Sequence, residues 1–386
     1  MTLLLLLALP WLLTPLALIR LARKTPSLDE HAAAEDGPLV SVIVPARNEA
    51  ATITTVVTSV LATRYRNLEL LVVDDRSTDA TADVVLGLAT GDRRLRLISG
   101  GELPQGWYGK PWACHQGAQS ATGEILLFTD ADTRHAPTLL GHAVSTLRAT
   151  GADLLTIAPE QQCLSFWERT IMPQVWVLLG LRYHPDTVNH ARRARDVIAN
   201  GQFIMIPRAT YEAMGTHAAV RREVAEDLAL AQRYWSAGRR LHFAFAERLM
   251  STRMYSNLPQ IIEGWSKNIY LGGRRSYPAD PWLRRLVPVM LSAAMGFWLL
   301  PPALLLLTLA GVVPHALLAP AILATVGGAA FWSLTSFGMK IPAWYGLAYP
   351  LGALMTLFIV ARSTVRGAGR IEWKGRTYGT AVNGEE

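Results

Sequence analysis

Four stretches of this sequence carry no charged residue and approach or exceed the ~20 residues that an α-helix needs to cross a bilayer. They comprise residues 1–19, 286–313, 316–339 and 341–361. Residues 25–285 hold most of the charges and are long enough to bury a core of their own. The sequence therefore predicts a membrane protein with a charged domain between an N-terminal anchor and a C-terminal membrane region.

These changes in composition divide the chain into six predicted segments. They are an anchor at 1–24, a linker at 25–37, a folded domain at 38–250, interfacial amphipathic helices at 251–285, a transmembrane region at 286–361 and a basic tail at 362–386. The first segment lacks a basic region before its apolar stretch and has no clear small-residue cleavage site. These two features favour an uncleaved anchor over a signal peptide.

Basic residues beside the apolar runs predict the orientation. Arg20, Arg23 and Lys24 follow the first run and should stay on the cytoplasmic side, which places the folded domain in the cytosol of a multi-pass cell-membrane protein. The basic tail also favours the cytosol, but three full C-terminal spans would put it outside. We therefore expect one run to be re-entrant or broken, with Pro301-Pro302 as the candidate break.

The formal net charge of +7 would suit nucleic acid, anionic lipid headgroups or a phosphorylated substrate. The membrane spans favour lipid, and we expect no nucleic-acid partner. Cys114 and Cys163 are the two cysteines, and they show no Cys/His spacing typical of a structural metal site or a disulfide scaffold. Reduced cytosolic thiols fit this pattern.

The folded domain begins with a repeated strand–helix order. Predicted strands are 39–45, 68–73, 94–98 and the run ending at Asp130, and predicted helices are 50–63 and 112–121. Ser77 or Thr78 is well suited to cap the helix after the second strand. The order predicts an α/β fold with a doubly wound, mostly parallel sheet, whose ligands bind beyond the carboxyl ends of the strands.

The run Glu124-Ile-Leu-Leu-Phe-Thr-Asp130-Ala-Asp132 ends in two carboxylates separated by one residue. Side chains alternate along a strand, so we expect Asp130 and Asp132 to point the same way and share one divalent cation. Such a cation neutralises the charge that grows on a diphosphate leaving group. A polar turn closing a buried strand is the alternative explanation.

Five motifs occur in an order that resembles the family 2 glycosyltransferases, which have the Rossmann-like GT-A nucleotide-sugar-binding fold. They are Val44-Pro45-Ala46-Arg47-Asn48-Glu49, Val73-Asp74-Asp75-Arg76-Ser77-Thr78-Asp79, Gly109-Lys110 with Ala113, Thr129-Asp130-Ala131-Asp132, and Glu226-Asp227. Singly each motif is weak. Together, on suitable elements, they extend the resemblance over roughly residues 38–250.

The resemblance implies roles for particular residues. It implies substrate-binding residues for a nucleotide-diphosphate sugar, most simply a UDP-sugar, at Pro45, Arg47, Glu49, Asp74, Asp75 and Lys110. Lys110 would lie near the diphosphate, and Asp130 and Asp132 would bind Mg²⁺ or Mn²⁺. Asp227 would be the catalytic base. The segment Asn200-Gly201-Gln202 lies where the family lines its acceptor site, and Gln202 is assigned to substrate binding.

Transfer of a sugar to an alcohol needs a carboxylate that accepts the hydroxyl proton, and in-line attack inverts the anomeric carbon. Glu226 and Asp227 open a predicted helix, where acidic residues are also favourable for the helix dipole alone. By resemblance we assign the base to Asp227 rather than Glu226, and Glu226 to substrate binding.

Two segments flanking this region predict membrane-surface helices. Residues 163–180 are apolar and aromatic but interrupted by charge and Pro173, which indicates an interfacial amphipathic helix, with a buried core helix as the alternative. The second contains Trp265, which we assign to substrate binding. Processive polysaccharide synthases of the family carry Gln-x-x-Arg-Trp near this point, and the departure from that motif argues against a polymer product.

A finer resemblance is to the branch of the family associated with carotenoid and hopanoid biosynthesis. It depends on residues 106–112, 165–169 and the basic, aromatic segment 370–378. It implies an inverting transferase that glycosylates a hydroxyl of a membrane lipid. The alternatives are a polyprenyl-phosphate glycosyltransferase and a non-catalytic membrane-anchored scaffold that binds nucleotide sugars.

Overall fold

The structure, a computed structural model, describes residues 5–22, 25–223, 225–277, 281–367, 371–373 and 376–378. The chain divides into two compact units. The helical unit is formed by Met1–Thr25, Cys163–His184 and Tyr255–Gly367, and the α/β unit by Pro26–Gln162, Pro185–Met254 and Ala368–Glu386. Residues 163–184, which lie inside the predicted 38–250 segment, thus contribute to the helical unit.

The described strands, in chain order, are β1 Val40–Ala46, β2 Leu68–Asp74, β3 Leu95–Ser99, β4 Ile125–Thr129, β5 Thr133–His135, β6 Leu154–Ala158, β7 Glu160–Gln161, β8 Phe203–Pro207, β9 Leu241–Phe245, β10 Met250–Thr252, β11 Ile371–Trp373 and β12 Arg376–Tyr378. The described α-helices are α1 Leu9–Ala22, α2 Ile53–Leu61, α3 Thr81–Ala89, α4 Gly109–Ser120, α5 Leu139–Thr150, α6 Phe166–Arg182, α7 Pro185–Asn189, α8 Arg208–Ala213, α9 Glu226–Ser236, α10 Leu258–Arg275, α11 Pro281–Leu309, α12 Leu318–Gly338 and α13 Tyr349–Arg366.

Seven strands of the α/β unit form one sheet in the order β3-β2-β1-β4-β8-β6-β9. β8 runs antiparallel to both of its neighbours, and the other pairings are parallel. Val40 of β1 pairs with Leu68 of β2 on one side and with Ile125 of β4 on the other. The predicted α/β domain built on a mostly parallel sheet is confirmed.

The central strands are almost continuous apolar runs because helices cover both faces of a parallel sheet. Every residue of β4 is buried, and β1 exposes part of only Pro45. On one face, α4 packs closely because Gly117 has no side chain: a Cβ there would lie 2.4 Å from Ile43 Cγ2 and 3.0 Å from Val73 Cγ2. This close approach sets the position of the amino-terminal end of α4, which carries Lys110.

The predicted elements occur close to their expected positions, but the predicted helix cap is wrong. α3 begins at Thr81, and its first N–H donates to the carboxylate of Asp79 at 3.0 Å. Ser77 Oγ instead accepts from the backbone N–H of Asn48 at 3.0 Å, and the N–H of Thr78 donates to Asn48 Oδ1. The hydroxyl of Ser77 is therefore used to join two loops rather than to begin a helix.

Within the helical unit, three of the described helical segments are long and apolar enough to cross a membrane: Pro281–Leu309, His315–Gly338 and Ala343–Arg366. The expected break at Pro301-Pro302 is wrong, since α11 is continuous through both prolines. Helices of this kind tolerate proline because neighbouring groups satisfy the freed carbonyls. Arg23, Lys24 and residues 368–370, 374–375 and 379–386, which include parts of the predicted orientation signal and basic tail, lie outside the described residues.

The shorter N-terminal helix packs within the same unit. Trp11 of α1 stacks on Phe297 of α11 with ring centroids 4.7 Å apart, and Trp11 Nε1 donates to the Phe297 carbonyl at 2.9 Å. The middle of α6 is also buried here, and Gln174 Nε2 donates to the Tyr349 carbonyl at 3.4 Å. This burial agrees with the alternative of a core helix for residues 163–180.

Candidate active site

Two loops at the carboxyl end of the sheet are joined by hydrogen bonds from a side chain of one loop to the backbone of the other. Arg47, after β1, donates from Nη1 to the carbonyls of Asp75 (2.6 Å) and Arg76 (2.8 Å), after β2. Asn48 and Arg76 both adopt left-handed backbone conformations, with φ of 54° and 56°. Such conformations are uncommon for residues other than glycine and cluster at functional sites. The two strand ends thus form one rigid rim.

The predicted donor-binding residues of β1 and β2 lie at this rim. Pro45 is the half-buried residue next to the end of β1, and Glu49 accepts from Thr52 Oγ1 at 2.8 Å. Asp75 is fully buried. Asp74 is half-buried, and its Oδ1 has no hydrogen-bond partner among the described residues. Of these two carboxylates, Asp74 is therefore the more exposed, and one of its oxygens is buried without a hydrogen bond.

Beside the rim is an open cleft lined by Arg47, Arg76, Thr78, Glu102 and Leu103. Arg76 Nη1 lies 3.4 Å from Glu102 Oε1 across this cleft. Apart from Arg47, these lining residues were not predicted as site residues. Glu102 and Leu103 follow β3, so the rule that ligands bind beyond strand ends could have identified them.

Asp130 and Asp132 lie in a turn, because β4 ends one residue earlier at Thr129. The argument from alternating strand side chains is therefore wrong for this pair. The turn is held by Thr133 Oγ1, which donates to the Asp130 carbonyl at 2.8 Å, and by Thr252 Oγ1, which donates to the Asp132 carbonyl at 3.3 Å. Its backbone is fixed, so both carboxylates have defined positions.

The carboxylate of Asp132 is suited to a cation. Its Oδ1 is buried and has no hydrogen-bond partner among the described residues. Burial, together with the charges of Asp130 and Glu49, raises the pKa of Asp132 to about 7. A hard divalent ion prefers carboxylate oxygens and would offset this repulsion. The two aspartates fit such an ion, although no group of three or more ligating side chains occurs in the described parts of the chain.

Lys110, on the first turn of α4, connects this turn to a second acidic pair. Its Nζ lies 2.7 Å from Asp130 Oδ1 and 3.1 Å from Glu226 Oε1. Burial by itself would lower the pKa of Lys110, but the charges of Asp130 and Glu226 outweigh it and raise the pKa well above its usual range. Lys110 is therefore a permanent positive charge between the two acidic groups.

The second acidic pair opens α9. Asp227 Oδ2 accepts from the Gly201 N–H at 2.9 Å, and Asp227 Oδ1 accepts from the Leu228 N–H at 2.7 Å. Burial raises the pKa of Asp227, whereas Lys110 and these two N–H groups oppose the increase. Burial also raises the pKa of Glu226, which is 7% exposed. Asp227 is half-buried and is thus the more accessible of the two carboxylates.

The two remaining predicted residues have partners inside the protein. Gln202 is buried, and its Oε1 accepts from Gln161 Nε2 at 3.1 Å and from Asn200 Nδ2 at 3.2 Å. Trp265 belongs to the helical unit, where it is buried and its Nε1 donates to Met172 Sδ at 3.3 Å. Their predicted substrate contacts remain predictions.

The polar strand ends and the facing acidic pair are the arrangement expected of an enzyme that binds an activated, charged substrate at the carboxyl edge of an α/β sheet. Residues 41–229, from β1 to the start of α9, match the family model described as Glycosyl transferase family 2. These residues, just under half of the chain, are therefore similar to a family 2 glycosyl transferase domain.

Characterised relatives are similar to this chain at low identity. One is the 4,4'-diaponeurosporenoate glycosyltransferase of Staphylococcus haemolyticus (strain JCSC1435), 24% identical over 258 residues that cover 65% of this chain and 66% of the relative. Another is the protein of the same description from Staphylococcus aureus (strain USA300), 26% identical over 246 residues, or 62% and 63% of the two chains. The chain thus spans just under two thirds of the length of these relatives.

A solved structure has a similar fold over nearly the whole chain. It is the mannosyltransferase PcManGT from Pyrobaculum calidifontis in complex with GDP-Man and Mn²⁺, with a TM-score of 0.54, 20% sequence identity, and coverage of 94% of this chain and 98% of that one. The likeness confirms the predicted GT-A fold.

Proposed function

We propose that this protein transfers a sugar, with inversion, from a nucleotide-diphosphate sugar to a carotenoid or hopanoid in the membrane. The observation that carries the proposal is the position of Lys110, whose Nζ contacts both Asp130 and Glu226. The Lys110 ammonium thus lies between two groups. One is the Asp130–Asp132 turn, which is suited to binding the diphosphate leaving group, and the other is the Glu226–Asp227 pair, which is suited to accepting a proton from the acceptor. Transfer needs these two groups on opposite sides of the anomeric carbon.

The rim formed by the loops after β1 and β2 is the proposed donor pocket. Arg47, Asp74 and the cleft beside them offer hydrogen-bonding groups to a base and ribose. A UDP-sugar remains the expected donor. The similar solved structure contains GDP-Man, so a guanine nucleotide belongs in the same binding panel.

Asp130 and Asp132 would hold the Mg²⁺ or Mn²⁺ ion. Bound there, the ion would supply positive charge that offsets the negative charge developing on a diphosphate leaving group. Lys110 supplies a second positive charge within 2.7 Å of Asp130 and is positioned to orient the diphosphate. The Mn²⁺ in the similar solved structure supports this choice of ion.

Asp227 is the proposed base, because it is more exposed than Glu226 and burial raises its pKa. It would accept the proton of an acceptor hydroxyl as the oxygen attacks the anomeric carbon. A carboxylate acceptor has already lost this proton at neutral pH. The relatives' named substrate, diaponeurosporenoate, is by its name a carboxylate, so the need for a base depends on which acceptor this chain uses.

The acceptor and location follow from the helical unit. Three apolar segments long enough to cross a membrane support a multi-pass protein of the cell membrane. A cytosolic position for the folded domain is still the expectation from the basic residues that follow the first apolar run. A lipid acceptor is consistent with that location. The carotenoid named for the relatives favours a terpenoid over a polyprenyl phosphate.

Lipid extracts from cells with and without the gene, compared by mass spectrometry, test the acceptor. We expect a hexose-bearing carotenoid or hopanoid only when the gene is present. A hexose-bearing phospho-polyprenol without a glycosylated terpenoid would instead identify a polyprenyl-phosphate transferase. Calorimetry of the purified protein with UDP-sugars, GDP-mannose and Mn²⁺ tests the scaffold alternative, which the absence of Mn²⁺-dependent donor binding would favour.

A further inference from the structure

The three residues before β8 form a turn that is anchored to the strands around it. The Asn200 N–H donates to Thr156 Oγ1 of β6 at 2.8 Å, and Asn200 Nδ2 donates to the Ile157 carbonyl at 3.0 Å. Asn200 Oδ1 accepts from the Gln202 N–H at 3.2 Å. One side chain therefore fixes the turn to the sheet and closes it internally.

Gln202 provides the other anchor. Its carbonyl accepts from Thr129 Oγ1, the last residue of β4, at 2.9 Å. Its side chain accepts from Gln161 of β7 at 3.1 Å. The turn is thus attached to three strands, including the one that leads to Asp130. Four hydrogen bonds of this quality leave the backbone between Asn200 and Gln202 little freedom.

Gly201, at the centre of the turn, contacts two charged groups of the proposed site, the carboxylate of Asp227 and the ammonium of Lys110. Its N–H donates to Asp227 Oδ2 at 2.9 Å, and its carbonyl accepts from Lys110 Nζ at 3.5 Å. The carboxylate of Asp227 and the ammonium of Lys110 are 26 and 91 residues away in sequence from this one backbone position. A single residue therefore positions the proposed base relative to the lysine.

Because Gly201 has no side chain, Asp227 and Lys110 reach its backbone without being displaced. A Cβ at this position would lie 3.0 Å from Asp227 Oδ2 and 3.0 Å from Lys110 Nζ. Both distances are shorter than ordinary contacts of a methyl group. Gly201 does not have a left-handed φ, so the requirement for glycine is one of space rather than of backbone conformation.

We propose that the Asn200-Gly201-Gln202 turn is a positioning element for the transfer reaction, in which the Gly201 N–H aims the Asp227 carboxylate and Asn200 acts through Gly201. The proposal rests on the proposed role of Asp227 as base. A backbone N–H fixed in this way favours the ionised carboxylate and restricts its rotation. Loss of either effect should slow the chemical step more than it weakens donor binding.

The test compares Gly201→Ala with Gly87→Ala, a matched control in α3 where nothing lies within 4 Å of an added Cβ. The probes are Mn²⁺ with the nucleotide sugar that binds in the calorimetric panel, and a hydroxylated carotenoid as acceptor. For Gly201→Ala we expect kcat to fall on the order of 10²-fold while the donor Kd stays within about threefold. The acidic limb of the kcat/KM profile should move to higher pH. Gly87→Ala should behave as wild type.

A double-mutant cycle with Asp227→Asn separates a positioning role from a structural one. If Gly201 acts through Asp227, adding Gly201→Ala to Asp227→Asn should cost little further activity. Wild-type kcat in Gly201→Ala, equal losses of kcat and donor binding, or full additivity would each overturn the proposal. If Gly201→Ala does not fold, Asn200→Ala is judged by the same criteria.

The outcomes also distinguish this proposal from the function on which it rests. An inactive Asp227→Asn together with an active Gly201→Ala would reject the positioning role and leave the base in place. An active Asp227→Asn would reject the base itself, and the positioning role with it.

Discussion

Lys110 Nζ lies 2.7 Å from Asp130 Oδ1, so an ammonium already neutralises one of the two carboxylates that would hold a divalent ion. The same ammonium is 3.1 Å from Glu226 Oε1. A metal ion that coordinates Asp130 would have to share its carboxylate with Lys110 or displace it. The diphosphate of a donor would offer Lys110 alternative anionic partners, which couples the binding of metal and donor.

Substitution of Lys110 should therefore affect metal and donor in opposite directions. In Lys110→Met we expect the affinity for Mn²⁺ alone to rise on the order of tenfold, because a competing positive charge has been removed. The affinity for the nucleotide sugar in saturating Mn²⁺ should fall. Electron paramagnetic resonance of Mn²⁺ and calorimetry of the donor measure the two quantities. Lys110→Arg keeps the charge, and a rise in Mn²⁺ affinity there would contradict the competition.

The metal site itself is tested by Asp132→Asn. An amide lacks the charge that holds a divalent ion between protein and diphosphate. We expect the variant to fold in the membrane, with donor binding in Mn²⁺ at least about tenfold weaker and turnover reduced. Asp130→Asn should behave similarly but more mildly. If Asp132→Asn turns over at the wild-type rate across limiting metal concentrations, Asp130 and Asp132 do not bind the metal and serve only to form the turn.

The elevated pKa of Asp132 predicts a pH dependence of stability. The pKa is about 7 in the folded protein against an ordinary 3.8, so the folded state binds the extra proton between these values. The stability contributed by the protonated carboxyl is complete below pH 3.8 and is lost as the pH rises to about 7. In a chelating buffer, the melting temperature of the wild type should fall relative to that of Asp132→Asn between pH 5 and pH 8. A difference in melting temperature that stays constant over this pH range would contradict the raised pKa of Asp132.

Much of the fold could be predicted because its signals are local. β1, β2 and β4 are runs of buried apolar residues ended by polar ones, and the structure places them side by side. The role of Ser77 could not be predicted, because its hydroxyl accepts a hydrogen bond from the backbone N–H of Asn48, 29 residues earlier in the sequence. The turn at Asp130 was only the alternative explanation, because where a strand ends depends on pairing rather than on residue type.

The site shows the same limit. The residue types and motif order indicated which carboxylates matter, but not what each one contacts. The contacts of Lys110 with Asp130, Gly201 and Glu226 join segments distant in sequence. The resemblance indicated the segment Asn200-Gly201-Gln202 but not the need for glycine at its centre, which depends on the space between two side chains that the fold brings together.

The base assignment gives the prediction that separates donor binding from chemistry. Asp227→Asn should lower turnover of a hydroxyl acceptor by a factor on the order of 10² to 10⁴, the range expected when a positioned proton acceptor is removed. Donor affinity should stay close to that of wild type, because Asp130 and Asp132 rather than Asp227 form the proposed metal site. Asparagine has the shape of aspartate, and its side-chain oxygen can still accept from the Gly201 or Leu228 N–H. A folding defect is therefore not expected.

The choice of acceptor sharpens this test. A carboxylate acceptor carries no proton to remove at neutral pH, so Asp227→Asn should slow its glycosylation much less than that of a hydroxylated carotenoid. Turnover of both acceptors by wild type, Asp227→Asn and the control Glu226→Gln measures the difference. Glu226→Gln should be less harmful with the hydroxyl acceptor, since its carboxylate is buried against Lys110. If Glu226→Gln abolishes transfer while Asp227→Asn remains active, the base is Glu226. The Gly201 N–H would then orient Asp227 for a role other than proton transfer.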